Sequence, residues 1–372
     1  MSVILKELRL HNFRNHRSFH LKEPRQLIII IGRNAAGKTN IIEAIQLVTM
    51  MESFRNPHWA TVVNNNEERA FIQAEFLQNE RIIEITMDIE EGRRSYSLNR
   101  KKKNRTDLIG LVPAVVFVPD DLTLVKNSAE IRRKLIDDIG QQLSTTYLKI
   151  ESDYQKTVKQ RNIILREYAE TRQISPLLES WDENLVSLGA LLFTHRIRLY
   201  QRYMEKVGPF YNRISNHEEF SSIYIPSFST LDDEFSVDQL IHMEREEVER
   251  WLWKALEDAR EREWSRAKTL VGPHRDEILF YLDGHETRKF ASQGQQRSIA
   301  LALKLGQLAI LQEISGNQPI LLLDDVMSEL DESRREALIK AIDGQIQTII
   351  TTTDVSCFSE ELLENAQIIE IG

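Results

Sequence analysis

The sequence predicts an α/β protein, built of mixed sheets and helices, with an inserted and mostly helical arm. Three observations predict it. The apolar run LIIII at 27 to 31 ends in a glycine-bounded turn and leads into the amphipathic stretch IIEAIQLV, a strand followed by a helix. A second apolar run, Ile320 to Leu323, ends on Asp324 and Asp325. Between them, from position 130 to 265, the chain turns to charged stretches with apolar residues at three- and four-residue steps.

In chain order, residues 1 to 120 read mainly as strands: the alternating VILKELRL, LIIII, FIQAEFL, RIIEITMDI, YSLN and AVVFV. The first helix interrupts them just after Gly37. In the middle, Leu178, Trp181, Leu185, Leu188 and Leu192 step 3-4-3-4, and Leu199, Tyr203, Val207 and Phe210 continue at helical spacing, a seam for a partner helix. Pro176 behind Ser175 marks a helix start, and Pro226 a short extended interruption in SSIYIPSF. After 270 strands and helices alternate again through EILFYLD, a turn at Asp283-Gly284, a helix from 293, PILLLDD, a helix from 332, QTIITTT and a closing IIEIG. The expected organisation is a discontinuous head of residues 1–130 and 270–372, with 131–269 inserted as the arm.

Composition narrows the class. A chain of 372 residues exceeds the size at which one core usually stops growing, so more than one lobe is expected. With 41% hydrophobic and 28% charged residues it folds around a core, and with one cysteine, Cys357, it has no internal disulfide or zinc cluster. A reducing cytoplasm is the expected compartment. No apolar run reaches the roughly 20 residues that cross a bilayer, so no membrane partner is expected. The net charge of -9 argues against coating nucleic acid by bulk charge, which leaves a local patch.

Gly32-Arg33-Asn34-Ala35-Ala36-Gly37-Lys38-Thr39 matches G-x-x-x-x-G-K-[ST] between an apolar strand and an amphipathic helix, the setting a P-loop requires. Glycines let the backbone curl, successive N–H groups and the helix N-terminus cradle phosphate, Lys38 neutralises β and γ charge, and Thr39 offers a hydroxyl to Mg²⁺. Such a loop needs a second carboxylate site. The strand ending on Asp324 and Asp325 supplies it: Asp324 would hold the metal and Asp325 would orient the attacking water. Alone, two acids at a strand end read as a solvated rim; with the P-loop they read as Walker B.

Ser292-Gln293-Gly294-Gln295-Gln296 opens the helix RSIALALKLGQLAIL and resembles the LSGGQ signature of ATP-binding-cassette (ABC) ATPases. A helix N-terminus with a hydroxyl and a small residue can meet a phosphate, or it can simply be capped. Ser328-Glu329-Leu330-Asp331 matches the D-loop of the same class. With His11-Asn12-Phe13-Arg14-Asn15, Phe117-Val118-Pro119-Asp120-Asp121-Leu122 followed by Arg132-Arg133, and Gly272-Pro273-His274-Arg275-Asp276, these motifs span the chain in the order of the RecF family. That family comprises bacterial recombination and gap-repair ATPases related to SMC (structural maintenance of chromosomes) proteins, and the chain resembles it throughout.

The resemblance implies an ABC-type P-loop ATPase head in which two protomers sandwich ATP. Residues 32 to 39 would bind phosphate, Lys38 and Asp325 would be catalytic, and Thr39 and Asp324 would bind Mg²⁺, with Asp120 near the lid position and a candidate third metal contact. Ser292, Gly294 and Gln295 would meet the partner's nucleotide, and Asp331 would couple the two sites. The implied activity is a weak, DNA-stimulated ATPase that dimerises on ATP, binds duplex DNA and single-strand/double-strand junctions, and recruits a mediator protein such as RecR in gap repair, replication recovery and the SOS response, at the nucleoid. The alternative is an ATP-gated interaction scaffold whose hydrolysis is incidental, because Asp325 is one methylene shorter than the glutamate most ABC proteins carry there. The segment Ile349 to Asp354 lacks the switch histidine, so a threonine or Asp354 remains open for that role.

Between 93 and 105, RRSYSLNRKKKNR carries Arg93, Arg94, Arg100, Lys101, Lys102, Lys103 and Arg105 and no acid. It reads as a phosphate-binding surface that includes Tyr96, with Arg132, Arg133 and Lys134 as an extension, or as a solvated hairpin tip. Arg14 could reach phosphate or cap the sheet. His274, Arg275 and Asp276 most simply form a local ion-pair network behind a Gly-Pro turn.

Overall fold

The computed structural model describes residues 3–55, 57–65, 67–171, 173, 175–215, 218–229, 235–342 and 345–372. It divides into two compact units, Met1–Thr123 with Arg297–Gly372, and Leu124–Gln296. In chain order the first unit begins with β1 (Val3–Phe13), β2 (His16–Lys22), β3 (Leu27–Gly32), α1 (Lys38–Thr49), β4 (Arg69–Gln78), β5 (Arg81–Glu90), β6 (Arg93–Leu98), β7 (Lys101–Lys103) and β8 (Ala114–Phe117). The second unit holds α2 (Ala129–Leu143), α3 (Thr145–Thr171), α4 (Leu178–Ile214), β9 (Phe220–Ile225), α5 (Val237–His242), α6 (Arg245–Arg266), β10 (Glu277–Leu282), β11 (His285–Glu286) and α7 (Thr287–Phe290). Helix α8 (Gln293–Ser315) opens in the last residues of that unit and runs on into the first, which closes with β12 (Ile320–Asp324), α9 (Glu332–Ile342), β13 (Thr348–Thr352), α10 (Glu360–Asn365) and β14 (Gln367–Ile371).

The first unit is built on two sheets. One, in the order β2-β1-β4-β5-β6-β7, is antiparallel throughout. It alternates: Ala70, Ile72, Ala74 and Phe76 of β4 and Ile85, Met87 and Ile89 of β5 are buried, while their neighbours are not. The other, β14-β3-β13-β12-β8, is parallel throughout; β3 and β12 are apolar runs up to their last residue, while the central β13 is buried along its length although it carries three threonines. Helix α1 touches both sheets, which is why Ile41, Ile42, Ala44, Ile45, Leu47 and Val48 are all fully buried. Parallel pairing brings Gly32, Thr352, Asp324 and Phe117 to the same end of the sheet, where loops meet ligands in α/β folds.

The second unit packs α2, α3, α4 and α6 together beside the sheet β11-β10-β9. Leu178, Leu185, Leu192, Tyr203 and Val207 lie buried on α4 as its spacing predicts, whereas Trp181, Leu188, Leu199 and Phe210 are only partly buried. Charged residues take part of the seam instead. Arg161 of α3, fully buried, donates to Asp182 (2.7 Å), Glu263 (2.5 Å) and Thr269 (3.0 Å). Arg196 of α4 pairs with Asp137 at 2.9 and 3.0 Å and donates to the Pro273 carbonyl at 2.6 Å. The compact units divide elsewhere than 130/131 and 269/270: β10 pairs with β9, Glu277 opposite Ile225, and this ties 270–296 to the helical unit. A strand's periodicity does not name its partner.

Candidate functional site

The phosphate loop sits between β3 and α1. Gly37, the residue before the helix, has φ +104°, and a Cβ there would lie 2.5 Å from Asn15 Oδ1 and 2.6 Å from His16 Nε2. Both the dihedral and the approach require glycine. Asn15 Nδ2 donates to the Ala36 carbonyl at 3.0 Å, and His16 Nε2 lies 3.1 Å from the Gly37 carbonyl, so the β1–β2 hairpin braces the loop from outside. Lys38, 7% exposed, turns its ammonium back over the loop to the carbonyls of Gly32 (2.6 Å) and Arg33 (3.1 Å). The ammonium is thus held over the curl into which phosphate oxygens would come.

Two strands away, Asp324 ends β12. Burial pushes its carboxyl above the usual aspartate range, against the pull of the Thr351 and Thr39 hydroxyls and the charge of Arg55. Thr39, in the first turn of α1, is thus near enough for its hydroxyl to act on the Asp324 carboxyl. Oxygen donors of this kind suit a hard cation such as Mg²⁺, and no cluster of three or more acidic, His or Cys residues able to hold a metal alone occurs among the described residues. The site fits a metal that arrives with phosphate oxygens and water. Asp325 follows at φ +52°, with Ser328 Oγ donating to its carbonyl at 2.8 Å. Asp120 lies exposed in the turn Pro119–Thr123 just after β8, the strand beside β12; its neighbour Asp121 is the one engaged, by Lys304 at 2.9 Å.

Ser292 caps α8. Its backbone N–H donates to Gln295 Oε1 (2.6 Å) and its hydroxyl accepts from the Gln295 N–H (3.2 Å), a reciprocal capping box. Ser292 is exposed, Gly294 partly so, and the Gln295 amide donates to Glu218. Asp331 is exposed, accepts from the Arg334 N–H at 3.0 Å and pairs with the Arg334 guanidinium.

Several expected residues are placed differently. Arg14 is spent on Glu43, a fully buried carboxylate that it grips at 2.7 and 3.0 Å, so it braces α1. Tyr96 is buried, facing the core side of its sheet, and offers no ring to bases. Arg132 (2% exposed) donates to the carbonyls of Val125 and Asn127 and pairs with Glu277, and Arg133 donates to the Asp276 carbonyl; neither extends a DNA face. Asp354 turns into its own loop, bonded to Ser356. His274 is half-buried with Nδ1 2.7 Å from the Tyr154 hydroxyl, and the buried Asp276 accepts from Tyr224 (2.6 Å) and the Ser227 N–H (2.8 Å): the Gly-Pro turn is a structural knot.

The basic run is divided. Pairing of β6 with β7 sets Lys103 opposite Tyr96 and Lys101 opposite Leu98, on the core side, while Lys102 faces with Ser97 on the other. All three lysines are exposed on the edge strand. Arg94 lies over the Trp59 ring at 4.0 Å, Arg100 and Arg105 sit 3.8 Å from Glu84 and Glu52, and Arg93 is exposed at the start of β6. Two site residues carry no local signature. Arg55 pairs with Glu43 (3.2 Å), donates to Asn40 (2.7 Å) and lends its charge to Asp324, and the Thr351 hydroxyl donates to the Asp324 carboxylate and accepts from the Asp325 N–H; each arrives through the fold.

Comparison with known proteins places this geometry in a family. Residues 4–369 match the RecF/RecN/SMC N terminal domain. The "DNA replication and repair protein RecF" of Bacillus cereus is 32% identical over 372 residues, 99% of this chain and 97% of that one. Solved structures of the recombination mediator protein RecF in the RecFOR pathway, as RecF-ATPrS and RecF-ATP, superpose with TM-scores of 0.87 and 0.84 at 31% and 32% identity, each covering 96% of this chain and 94% of the other. An Smc head domain from Pyrococcus furiosus shares the fold at TM-score 0.55 and 16% identity, over 99% and 93% of the two chains. No helix among the described residues is long and apolar enough to cross a membrane. With an α/β head of the ABC/SMC kind and this kinship along nearly its whole length, the chain belongs to the RecF family.

Proposed function

We propose that the protein is an ATP-gated DNA-binding protein of recombinational gap repair and replication recovery, a weak ATPase that dimerises on ATP and recruits mediator proteins. The observation that carries the reading is the pair of motifs brought to one end of the parallel sheet: a curled loop with Lys38 over it, and the buried Asp324 ending β12 two strands away. Residues 32 to 39 bind and orient phosphate. Thr39 and Asp324 would hold Mg²⁺, which when bound neutralises phosphate charge. Asp325, at the strand's end, accepts the proton of the attacking water; being an aspartate it reaches less far, and a misplacement of about 1 Å costs about a hundredfold in rate, so turnover is slow. Asp120, exposed beside that strand end, is the reserve acid.

Ser292, exposed, and the half-buried Gly294 and Gln295 form a capped helix N-terminus of the sort that receives a phosphate brought by a second protomer, with Asp331 at the interface between sites. The exposed lysines of β7 give a sequence-independent grip on duplex DNA. Sedimentation with and without ATP tests the reading: the native chain should shift from monomer to dimer, Lys38→Met should not bind ATP, and Ser292→Arg should bind ATP but stay monomeric. A Ser292→Arg variant that dimerises normally would reject the sandwich.

A further inference from the structure

Strand β13 lies between β3, which carries the phosphate loop, and β12, which carries the two acids. Its Thr351 stands opposite Asp324 on one side and Ile30 on the other, and it is fully buried. The Thr351 hydroxyl lies 2.7 Å from Asp324 Oδ1 and 3.0 Å from the backbone nitrogen of Asp325; the Leu323 carbonyl is a longer alternative at 3.4 Å. A hydroxyl has one proton, and the short contact to a carboxylate claims it, leaving the oxygen's lone pair to accept from the Asp325 N–H. The same N–H also reaches the Thr351 carbonyl at 3.1 Å.

Each contact constrains a different acid. The first fixes one oxygen of Asp324 and with it the orientation of the carboxylate. The second holds a left-handed residue: Asp325 has φ +52°, a conformation that costs a non-glycine residue and persists only when its surroundings hold it. That turn ends β12 and breaks the strand alternation that would send Asp324 and Asp325 to opposite faces.

We propose that Thr351 is a positioning residue of the nucleotide site, its one hydroxyl setting both the carboxylate that serves the metal and the backbone that presents the catalytic acid. The assignment rests on the ATPase reading above. Asp354, the acid beyond the end of this strand, is bonded within its own loop.

The experiment compares the full chain with Thr351→Val, Thr351→Ser and Thr351→Ala, using a fluorescent ATP analogue titrated first without divalent metal and then with increasing Mg²⁺, alongside steady-state turnover. Loss of one charge-assisted hydrogen bond is worth about tenfold or more. Thr351→Val should leave metal-free nucleotide binding within about twofold, raise the Mg²⁺ concentration at half effect about tenfold and lower kcat; Thr351→Ser should restore both. In an Asp324→Asn background Thr351→Val should add no further Mg²⁺ shift, because the partner carboxylate is gone. If the valine variant does not fold, serine against alanine isolates the hydroxyl alone. An unchanged Mg²⁺ half-point in the valine or alanine variant, or failure of serine to rescue, overturns the assignment and leaves the ATPase reading standing. Absence of any Mg²⁺-dependent nucleotide binding by the native chain overturns both.

Discussion

Replacing Lys101, Lys102 and Lys103 by glutamine should weaken duplex DNA binding equally at every sequence and flatten its salt dependence. The structure sets the magnitude. Of the seven basic residues in this stretch, Arg94 is stacked on Trp59, and Arg100 and Arg105 already face Glu84 and Glu52, whereas the three lysines stand exposed on the edge strand, Lys101 and Lys103 on one face and Lys102 on the other. If each displaces one condensed counterion, the slope of log K against log salt becomes shallower by about 2.7, at about 0.9 per phosphate contact. Between about 50 and 200 mM salt, that removes roughly a fortyfold part of the native protein's loss of affinity. Fluorescence anisotropy on two unrelated duplexes, with ATP present throughout, measures it. An unchanged slope refutes the reasoning, and the lysines are then edge protection, charges that keep β7 from pairing with another chain. A slope that changes on one duplex alone also refutes it, since phosphate contacts carry no base information.

Asp325→Asn should abolish turnover while ATP still binds, and should lengthen the lifetime of the ATP dimer; native-rate hydrolysis would pass the role to Asp120. Arg161→Met strands the fully buried Glu263 and should cost about 3–5 kcal/mol, read as a lower urea midpoint in an unfolding titration. Burial holds the His274 imidazole neutral with its pKa lowered to about 3. Between pH 6.5 and 3 only the unfolded chain therefore takes up that proton, so this contribution is complete above about pH 6.5 and is lost on acidification at about 1.4 kcal/mol per pH unit. Asp276, raised by its burial, works in the opposite direction, so the comparison to make is native against His274→Asn, whose stability should fall less steeply with acid; equal slopes would remove His274 as the cause.

The sequence alone determined the nucleotide chemistry and the sheet that displays it. A phosphate loop is a local object: two glycines, a lysine and a threonine at fixed spacing after an apolar strand are sufficient to specify the curl, and Leu27–Ile31, Ile320–Leu323 and Ala114–Phe117 read as buried strands because covering on both faces leaves no room for polar alternation. Residues whose role depends on a distant partner were not legible. Arg132 and Arg133 looked like an extension of a basic surface until their carbonyl and carboxylate partners were visible, and Tyr96 looked available until β5 and β6 paired. Residues 270–296 went to the helical unit because of a strand partner far upstream in sequence. Asp182 and Arg196 broke an apolar helical pattern that their ion pairs allow them to share. Thr351 is the sharpest case: one of several threonines in QTIITTT, it gains its place only when parallel pairing sets it level with Asp324. Short-range geometry is written in spacing, whereas a hydrogen bond between strands is written only in their register.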